Sequence, residues 1–255
     1  MGQTIAVRVG EETVLLDVEA DVAAAAGETQ GPRNFERWRA DTYTTKEPDT
    51  LAWIDAFFRP GEVIYDVGAN IGQYSLYAAK RLGGHCKVLA FEPEALNYAK
   101  LNRNIVLNGL AGTVVPYCLA VTDRTGLDVF YVKTFAPGAA LHALHRPVTQ
   151  GEEAFSPQNQ QGMMGVSLDD LVGRFGLPAP RHIKIDVDGI EAAIIRGAEQ
   201  TMRSPTLRTA LVEVYLYGGV AEKIRGAFER QGFRLHNADA IVWKPGTVQN
   251  LIFVR

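Results

Sequence analysis

The amino-acid sequence predicts an α/β fold built on a doubly wound, seven-stranded and mostly parallel sheet. Short and nearly continuous apolar runs, such as Val63–Val67 and Lys87–Phe91, recur along the chain. Helical patterns with one apolar face separate these runs, which is typical of parallel strands that are covered on both faces. The last two runs, Phe233–His236 and Asn250–Val254, have no helical pattern between them. They therefore predict a closing antiparallel strand.

Between these runs, strands and helices alternate in the order that a doubly wound sheet requires. Further core strands are predicted at Thr113–Cys118, His182–Val187 and Leu207–Val214. The helices are predicted from the periodicity of apolar residues and from prolines and glycines at the positions where a helix begins or ends. These cover Pro48–Phe58, Tyr74–Leu82, a segment that ends near Asn108, the stretch from Ile190 to Ala198, and the stretch from Val220 to Phe228.

The N-terminal segment falls outside this alternation. Thr4–Val9 and Thr13–Val18 alternate between apolar and polar residues around Gly10, which predicts a β-hairpin. We therefore interpret residues 1–47 as a hairpin and cap segment that precedes a single domain at 48–255.

A long insertion interrupts the predicted domain after its third core strand. Leu127–Val132 predicts an extra strand, and residues 133–166 are rich in Gly, Pro and Gln with little periodicity. A loop of this length in a compact domain is typically a lid or a binding loop. We therefore expect a lid insertion near residues 133–166.

Composition excludes several classes of protein. The net charge is −3, which gives no basic surface for nucleic acid, and no apolar run reaches the length of a membrane span. Cys86 and Cys118 are too few for a disulfide framework. We therefore expect a cytoplasmic enzyme with neither a nucleic-acid nor a membrane partner. Whether it forms a homo-oligomer is left open.

A glycine-containing turn, Asp66–Gly72, connects the first core strand to the next helix. Glycines let a backbone approach a ligand, and a helix N-terminus offers free N–H groups, so the turn predicts a nucleotide site. The dinucleotide fingerprint would require glycine at positions 70 and 73, which hold Asn70 and Gln73. Asp66 at the strand end would repel a pyrophosphate, whereas a carboxylate suits the ammonium group of S-adenosylmethionine.

A second carboxylate, Glu92, stands at the end of the next strand, where it can accept hydrogen bonds from both hydroxyls of a ribose. The alternatives are that Gly68 and Gly72 serve only a tight turn and that Glu92 caps a helix. The turn and the acid together favour S-adenosylmethionine. We expect Asp66, Gly68, Asn70, Gly72 and Glu92 to bind it.

Four spaced motifs together resemble the FkbM family of methyltransferases. They are Asp66–Leu76, Phe91–Pro93 with Asn97 and Leu101–Asn104, Ser167–Leu171, and Ile183–Glu191. The resemblance covers roughly residues 46–255. It implies a class I methyltransferase fold of Rossmann-like topology, S-adenosylmethionine as donor, and O-methylation of a hydroxyl on a sugar, a polyketide or another natural product. Asp188 stands where the usual family motif has glutamate.

Lys184 and Asp186 alternate along the fourth core strand and face the same side of the sheet. Charged side chains at alternate positions of a buried strand need a partner or a function. Asp186 is the candidate for orienting the acceptor or acting as general base, and Lys184 could pair with it or hold the acceptor oxygen. Asp188 and Glu191 have the spacing of a helix N-cap and its partner, so we expect them to cap the helix.

A metal site is considered and not predicted. Asp186, Asp188 and Glu213 could offer oxygens to Mg²⁺, but methyltransferases with such a site are expected to have paired acids after the fifth strand, and only Glu213 is present there. Its alternative role is a salt bridge with a neighbouring strand residue. His142 and His145 lie in the insertion without a further metal ligand, and we interpret them as solvated loop residues, with contact to the acceptor as the alternative.

These inferences converge on an S-adenosylmethionine-dependent methyltransferase for a small-molecule hydroxyl. Cys118 and Leu119, after the third strand, are expected beside the adenine, and Trp38 and Tyr43 are candidates for the acceptor pocket. Three alternatives stay open: an NAD-linked oxidoreductase, a non-catalytic binding or assembly module, and a nucleic-acid methyltransferase. The sequence disfavours the last, because it lacks an Asn-Pro-Pro-Tyr motif and a basic surface.

Overall fold

The computed structural model describes residues 2–19 and 34–255. The part of the predicted cap segment at residues 20–33 lies outside the described residues. The strands are β1 Gln3–Val9, β2 Glu12–Val18, β3 Val63–Val67, β4 Lys87–Phe91, β5 Val114–Tyr117, β6 Ala120–Thr122, β7 Gly126–Val132, β8 Ala143–Leu144, β9 Asn159–Ser167, β10 His182–Ile185, β11 Thr209–Tyr215, β12 Arg234–Leu235 and β13 Val248–Val254. The α-helices are α1 Phe35–Asp41, α2 Pro48–Phe57, α3 Gln73–Arg81, α4 Ala95–Leu107, α5 Leu168–Gly173, α6 Glu191–Arg196, α7 Glu199–Arg203 and α8 Val220–Arg230.

The central sheet has seven strands in the order β12-β13-β11-β10-β3-β4-β5. Strands β11, β10, β3, β4 and β5 run parallel, and β13 pairs antiparallel with β11 and with β12. The predicted doubly wound sheet with a closing antiparallel strand is therefore confirmed. Strand order reverses between β3 and β10, which is where such sheets open a crevice for ligands.

Helices cover the sheet on both faces, and each face has its own core. One core joins α2, α3 and α4 to the hairpin, and the other joins α5 to α8. β3 and β4 have the predicted bounds because their residues after the first are buried, which leaves the continuous apolar run that the sequence shows. Among the described residues, no helix is both long and apolar enough to cross a lipid bilayer.

The predicted N-terminal hairpin is confirmed and packs against the central layers. β1 and β2 pair antiparallel along their whole length, with Gly10 in the turn at a φ of 57°. Asn104 of α4 and Asn108, directly after this helix, accept hydrogen bonds from the backbone N–H groups of Asp17 and Leu15 at 2.8 and 2.9 Å. Backbone N–H groups on the open edge of β2 are therefore hydrogen-bonded by asparagine side chains at the end of α4.

The insertion differs from the long loop that the sequence predicts. β6, β7, β8 and β9 form a second, four-stranded sheet in the order β6-β9-β7-β8. The predicted strand at Leu127–Val132 is present as β7, whereas the nine-residue β9 was not predicted. Its glutamines, glycines and methionines have weak strand preference, so its pairing with all of β7 stabilises it instead.

Candidate active site

A cavity of about 760 Å³ opens at the carboxyl ends of the central strands. The glycine loop after β3, the loop after β4 and the ends of β10 and β11 supply its floor. The walls come from α1, the start of α2, the chain after β5, the insertion with residues 138–142, and the start of β13. It therefore lies at the switch point between β3 and β10, where the topology predicts a ligand.

The glycines of the loop after β3 are required by packing within the protein. Gly68 has a φ of 82°, and a Cβ atom there would lie 1.9 Å from the carbonyl oxygen of Asp186. Gly72 has a φ of 96°, and its Cβ would lie 2.7 Å from Cδ1 of Leu101. The tight-turn alternative is thus supported for both residues. At Gly68 this role does not compete with ligand binding, because Gly68 also lines the cavity; Gly72 is not among the described residues that line it.

Glu92 joins the ends of two neighbouring strands. Its carboxylate accepts hydrogen bonds from the backbone N–H groups of Asn70 at 2.7 Å and Glu94 at 2.8 Å. Burial raises the pKa of Glu92 to about 7, although both hydrogen bonds and the charge of Arg39 act in the opposite direction. Each of its oxygens accepts one of these bonds and can accept another, and Glu92 lines the cavity.

Asp66 lies deeper than the sequence suggests. It is buried and is not one of the described residues that line the cavity. One carboxylate oxygen accepts a hydrogen bond from the Ser75 hydroxyl at 2.6 Å, and the other has no partner among the described residues. Burial raises its pKa, while Lys184 and Ser75 lower it.

Lys184 and Asp186 form an ion pair at the end of β10. The Nζ atom of Lys184 lies 2.5 Å from Oδ2 of Asp186 and 4.8 Å from the ring centre of Tyr74. Burial acts against both charges, but their mutual attraction prevails, so the pKa of Lys184 is raised and that of Asp186 is lowered. Asp186 faces the cavity, whereas Lys184 is buried behind it.

Two further carboxyl groups complete this cluster. Glu47 and Glu213 each place a carboxylate oxygen within 4.8 Å of one on Asp186 and of each other. Burial, with the charges of Asp186 and Glu47, raises the pKa of Glu213 to about 9. Glu47 contacts Lys46. Lys46 and Lys184 therefore pair with two of the three carboxyl groups that could otherwise bind a metal cation. The absence of a metal stays a prediction.

The predicted capping role is wrong for Asp188, whereas the carboxylate of Glu191 does reach back to the helix start and accepts a hydrogen bond from the Gly189 N–H at 3.0 Å. The helix α6 begins at Glu191 after Ile190, which makes no side-chain cap. Asp188 instead accepts hydrogen bonds from the backbone N–H groups of Leu141 at 2.5 Å and His142 at 3.2 Å. It therefore ties the insertion to the end of β10. The similar spacing at Ser167 does mark a cap, since its hydroxyl accepts from the N–H of Asp170 at 3.1 Å.

The insertion brings a residue into the site that sequence reasoning placed in solvent. His142 is buried and lines the cavity, so its interpretation as a solvated residue is wrong. Burial lowers its pKa to about 4. His145, in contrast, is partly exposed and contacts Asp128. No local sequence pattern distinguishes the two histidines. The difference in their burial follows from the pairing of β7 with β8, which lies between the two residues.

The remaining predicted residues divide between the cavity and its surroundings. Leu119 and Trp38 line the cavity. Cys118 is exposed, and Tyr43 is buried in the core with its hydroxyl donating to the carbonyl of Gln73. Glu47 also borders the cavity and had no signal beyond its position before Pro48, which is typical of a helix start.

The fold and the glycine loop define a Rossmann-like methyltransferase, and the comparisons with known proteins agree. The family model for the methyltransferase FkbM domain matches residues 66–235. This chain belongs to that family, as its four motifs predict.

Curated relatives agree with this assignment, and a solved structure agrees with the fold. The chain is 29% identical over 198 residues to 31-O-demethyl-FK506 methyltransferase FkbM of Streptomyces tacrolimicus, covering 69% of this chain and 74% of that one. It is 26% identical over 170 residues to hexuronic acid methyltransferase AglP of Haloferax volcanii, covering 66% and 62%. A methyltransferase FkbM structure from Methylobacillus flagellatus KT superimposes with a TM-score of 0.52 at 16% identity, over 78% of this chain and 44% of that one. The class I methyltransferase fold is thereby confirmed.

Proposed function

We propose that this chain is an S-adenosylmethionine-dependent O-methyltransferase that acts on a hydroxyl of a small natural product, such as a sugar or a polyketide. One observation carries the proposal: the glycine loop and Glu92 border a single cavity and are joined by the 2.7 Å hydrogen bond from the Asn70 N–H. The names of the relatives support the acceptor class, since one refers to an oxygen of FK506 and another to hexuronic acid.

The residues of the cavity fit S-adenosylmethionine. Glu92 offers carboxylate oxygens where a ribose is expected. Asp66, which does not line the cavity, keeps one buried oxygen without a partner among the described residues. Gly68, Asn70 and Leu119 provide backbone and apolar surface on the same wall. When bound, this donor supplies a methyl group that is attached to a positively charged sulfur; the methyl group passes to the acceptor oxygen, and the sulfur becomes a neutral thioether.

On the acceptor side, Asp186 is the proposed base. Its carboxylate faces the cavity and stays ionised, because the neighbouring Lys184 keeps its pKa low. A carboxylate of low pKa is a weak base, so we expect it to orient the hydroxyl and to take the proton only as the new bond forms. The insertion, tied down by Asp188, excludes water from this region.

Calorimetric titration with S-adenosylhomocysteine and, separately, with NAD tests the cofactor. We expect S-adenosylhomocysteine to bind and NAD not to bind. Glu92→Gln should weaken binding of S-adenosylhomocysteine by about tenfold or more. An amide has one acceptor oxygen, so it cannot accept from both backbone N–H groups and from the ribose as the carboxylate does. Glu222→Gln, an exposed change in α8, is the matched control. Binding of NAD alone would reject the proposal in favour of an oxidoreductase.

A transfer assay tests the reaction. Tritium-labelled S-adenosylmethionine is incubated with the protein and panels of sugars and hydroxylated polyketides, and the product is then treated with base. A methyl ether survives this treatment, whereas a methyl ester is hydrolysed. Base-stable label is expected; base-labile label would show that the acceptor is a carboxylate instead of a hydroxyl.

A further inference from the structure

The cavity contains a buried cation that forms no salt bridge with a described residue, although its charge acts on the nearby carboxyl groups of Glu92 and Asp188. Arg39 of α1 is 7% exposed and lines the cavity. Its Nε donates to the carbonyl of Gly138 at 2.7 Å, and Nη1 donates to Oε1 of Gln73 at 3.3 Å. Both partners are neutral. Removing a charge from water without an ionic partner is costly, so such a group is usually retained for a ligand.

The other buried cations in the described residues show the usual arrangement. Lys100 lies within 3.3 Å of carboxylate oxygens on Asp17, Glu19 and Glu36. Lys184 pairs with Asp186 at 2.5 Å. Arg39 is the exception among them, and it is also the one that lines the cavity together with Asp186.

A second group of the same character lies on the cavity wall. Nδ1 of His142 accepts a hydrogen bond from the Lys133 N–H at 3.2 Å, which places the ring proton on Nε2 of the neutral histidine. That Nε2 is buried and makes no hydrogen bond of normal length to a described residue, although the Ala139 backbone lies close enough to act on the pKa of His142. Arg39 is near enough for its charge to lower the pKa of His142. A buried cation and an N–H donor without a hydrogen bond of normal length therefore share this side.

The charge of the remaining lining limits which anion fits. Carboxyl groups outnumber the cations Lys46 and Lys133 in the rest of the cavity lining; they are Glu47, Asp49, Glu92, Asp186, Asp188 and Glu213. These carboxyl groups would repel a phosphate dianion. A ligand fits better if it has a single negative charge near Arg39 and a positive charge near the carboxyl groups. The planar fork of an arginine also matches a carboxylate geometrically.

We infer that Arg39 binds a carboxylate of the ligand that occupies this cavity. The inference rests on the proposed function and deepens it, because two sources offer the group: the amino-acid end of the methyl donor, and an acidic acceptor. In both cases Arg39 exchanges an unpaired buried charge for a bidentate ion pair, and the acid-rich floor receives the positive part of the ligand.

Calorimetry with matched ligands separates the sources. Wild-type protein, Arg39→Gln and Arg39→Lys are titrated with S-adenosylhomocysteine and with aminopropylthioadenosine, the same molecule without its carboxylate. Arg37→Gln is the control, since Arg37 is exposed on the same helix and pairs with Asp41. Each variant saturated with S-adenosylhomocysteine is then titrated with glucuronate and with glucose.

If the donor supplies the carboxylate, Arg39→Gln weakens S-adenosylhomocysteine binding by about tenfold to a hundredfold and changes that of the decarboxylated compound by less than about threefold. Arg39→Lys should be intermediate, because it keeps the charge without the fork. If the acceptor supplies it, S-adenosylhomocysteine binding is unchanged, and the preference for glucuronate over glucose is lost.

The inference is overturned if Arg39→Gln changes none of these affinities, or if it weakens both adenosine compounds equally. The second result would mean that Arg39 only holds the insertion through Gly138. Binding of the decarboxylated compound also reports that the variant is folded. A wild-type protein that binds neither adenosine compound would instead reject the proposed function itself.

Discussion

Gly68 and Asp186 are in backbone contact: a Cβ atom on Gly68 would lie 1.9 Å from the Asp186 carbonyl oxygen. The N–H of Asp186 also donates to the carbonyl of Val67 at 3.0 Å. The loop proposed to hold the methyl donor and the residue proposed to receive the acceptor proton therefore rest directly on one another. A change in either loop should displace the other.

Gly68→Ala should lower the free energy of unfolding by about 2–4 kcal/mol, because the added methyl group meets rigid backbone in a left-handed conformation. Gly61→Ala is the matched control, since Gly61 has a φ of 85° but nothing within 4 Å of its Cβ position. That variant should lose only about 1–2 kcal/mol. Urea unfolding measures both, and equal losses would show that the contact with Asp186 contributes nothing.

Glu213→Gln should alter how stability depends on pH. The pKa of Glu213 is raised from 4.5 to about 9 in the folded protein by burial and by Asp186 and Glu47. Between these values the folded state binds more protons at this site than the unfolded state, so the contribution of Glu213 to stability falls as pH rises. Glutamine cannot ionise and removes this decline.

The measurement is the free energy of unfolding of wild type and Glu213→Gln at several pH values from 5 to 9, the window given by the two pKa values. The variant should gain at least about 1 kcal/mol relative to wild type across this range. Glu92, Asp188 and Glu191 also have raised pKa values, and the difference between the two proteins cancels their effect. Parallel curves would contradict the prediction.

The sequence predicted the central layers well because each element there has one dominant physical signal. Val63–Val67 and Lys87–Phe91 are buried apolar runs, and their predicted bounds match the structure. β9 has no such signal, since its exposed positions hold glutamine, glycine and methionine, and its stability comes from pairing with β7, which is distant in sequence. Local patterns do not report a partner of that kind.

The residues of the site likewise fall into those that a local sequence pattern predicts and those that only long-range packing places. The acid Glu92 follows a recognisable strand end, so strand order alone predicts its place beside the glycine loop. Arg39 and Glu47 reach the cavity from the N-terminal helices, and His142 reaches it from the insertion. Their positions depend on packing between distant segments. Asp188 shows the converse error: a capping pattern was present, but the neighbouring insertion offered better donors.

Asp188→Ala should loosen the insertion without unfolding the protein. Asp188 holds the N–H groups of Leu141 and His142, and Leu141 has a φ of 64°, which a leucine adopts only under restraint. Losing these bonds should speed hydrogen exchange of both amides by about tenfold. The amides of β7 and β9 serve as an internal reference, and an equal acceleration there would mean that the whole sheet had been destabilised.

Asp186→Asn should reduce methyl transfer to an acceptor found in the transfer assay by about a hundredfold or more, which is the usual contribution of a general base. Binding of S-adenosylhomocysteine should change by less than about threefold, because the residue is assigned to the acceptor side. A comparable loss in both quantities would instead place Asp186 at the donor.

Lys184→Met should change the pH profile of the same reaction. Lys184 lowers the pKa of Asp186 through the 2.5 Å ion pair, so removing its charge should raise that pKa toward the value that burial favours. Asp186 would then be protonated at higher pH, and the acid limb of the plot of kcat against pH should move upward. Lys184→Arg, which keeps a positive charge, should hold the limb closer to its wild-type position. If the limb stays in place in Lys184→Met, Asp186 is not the group whose ionisation controls the rate.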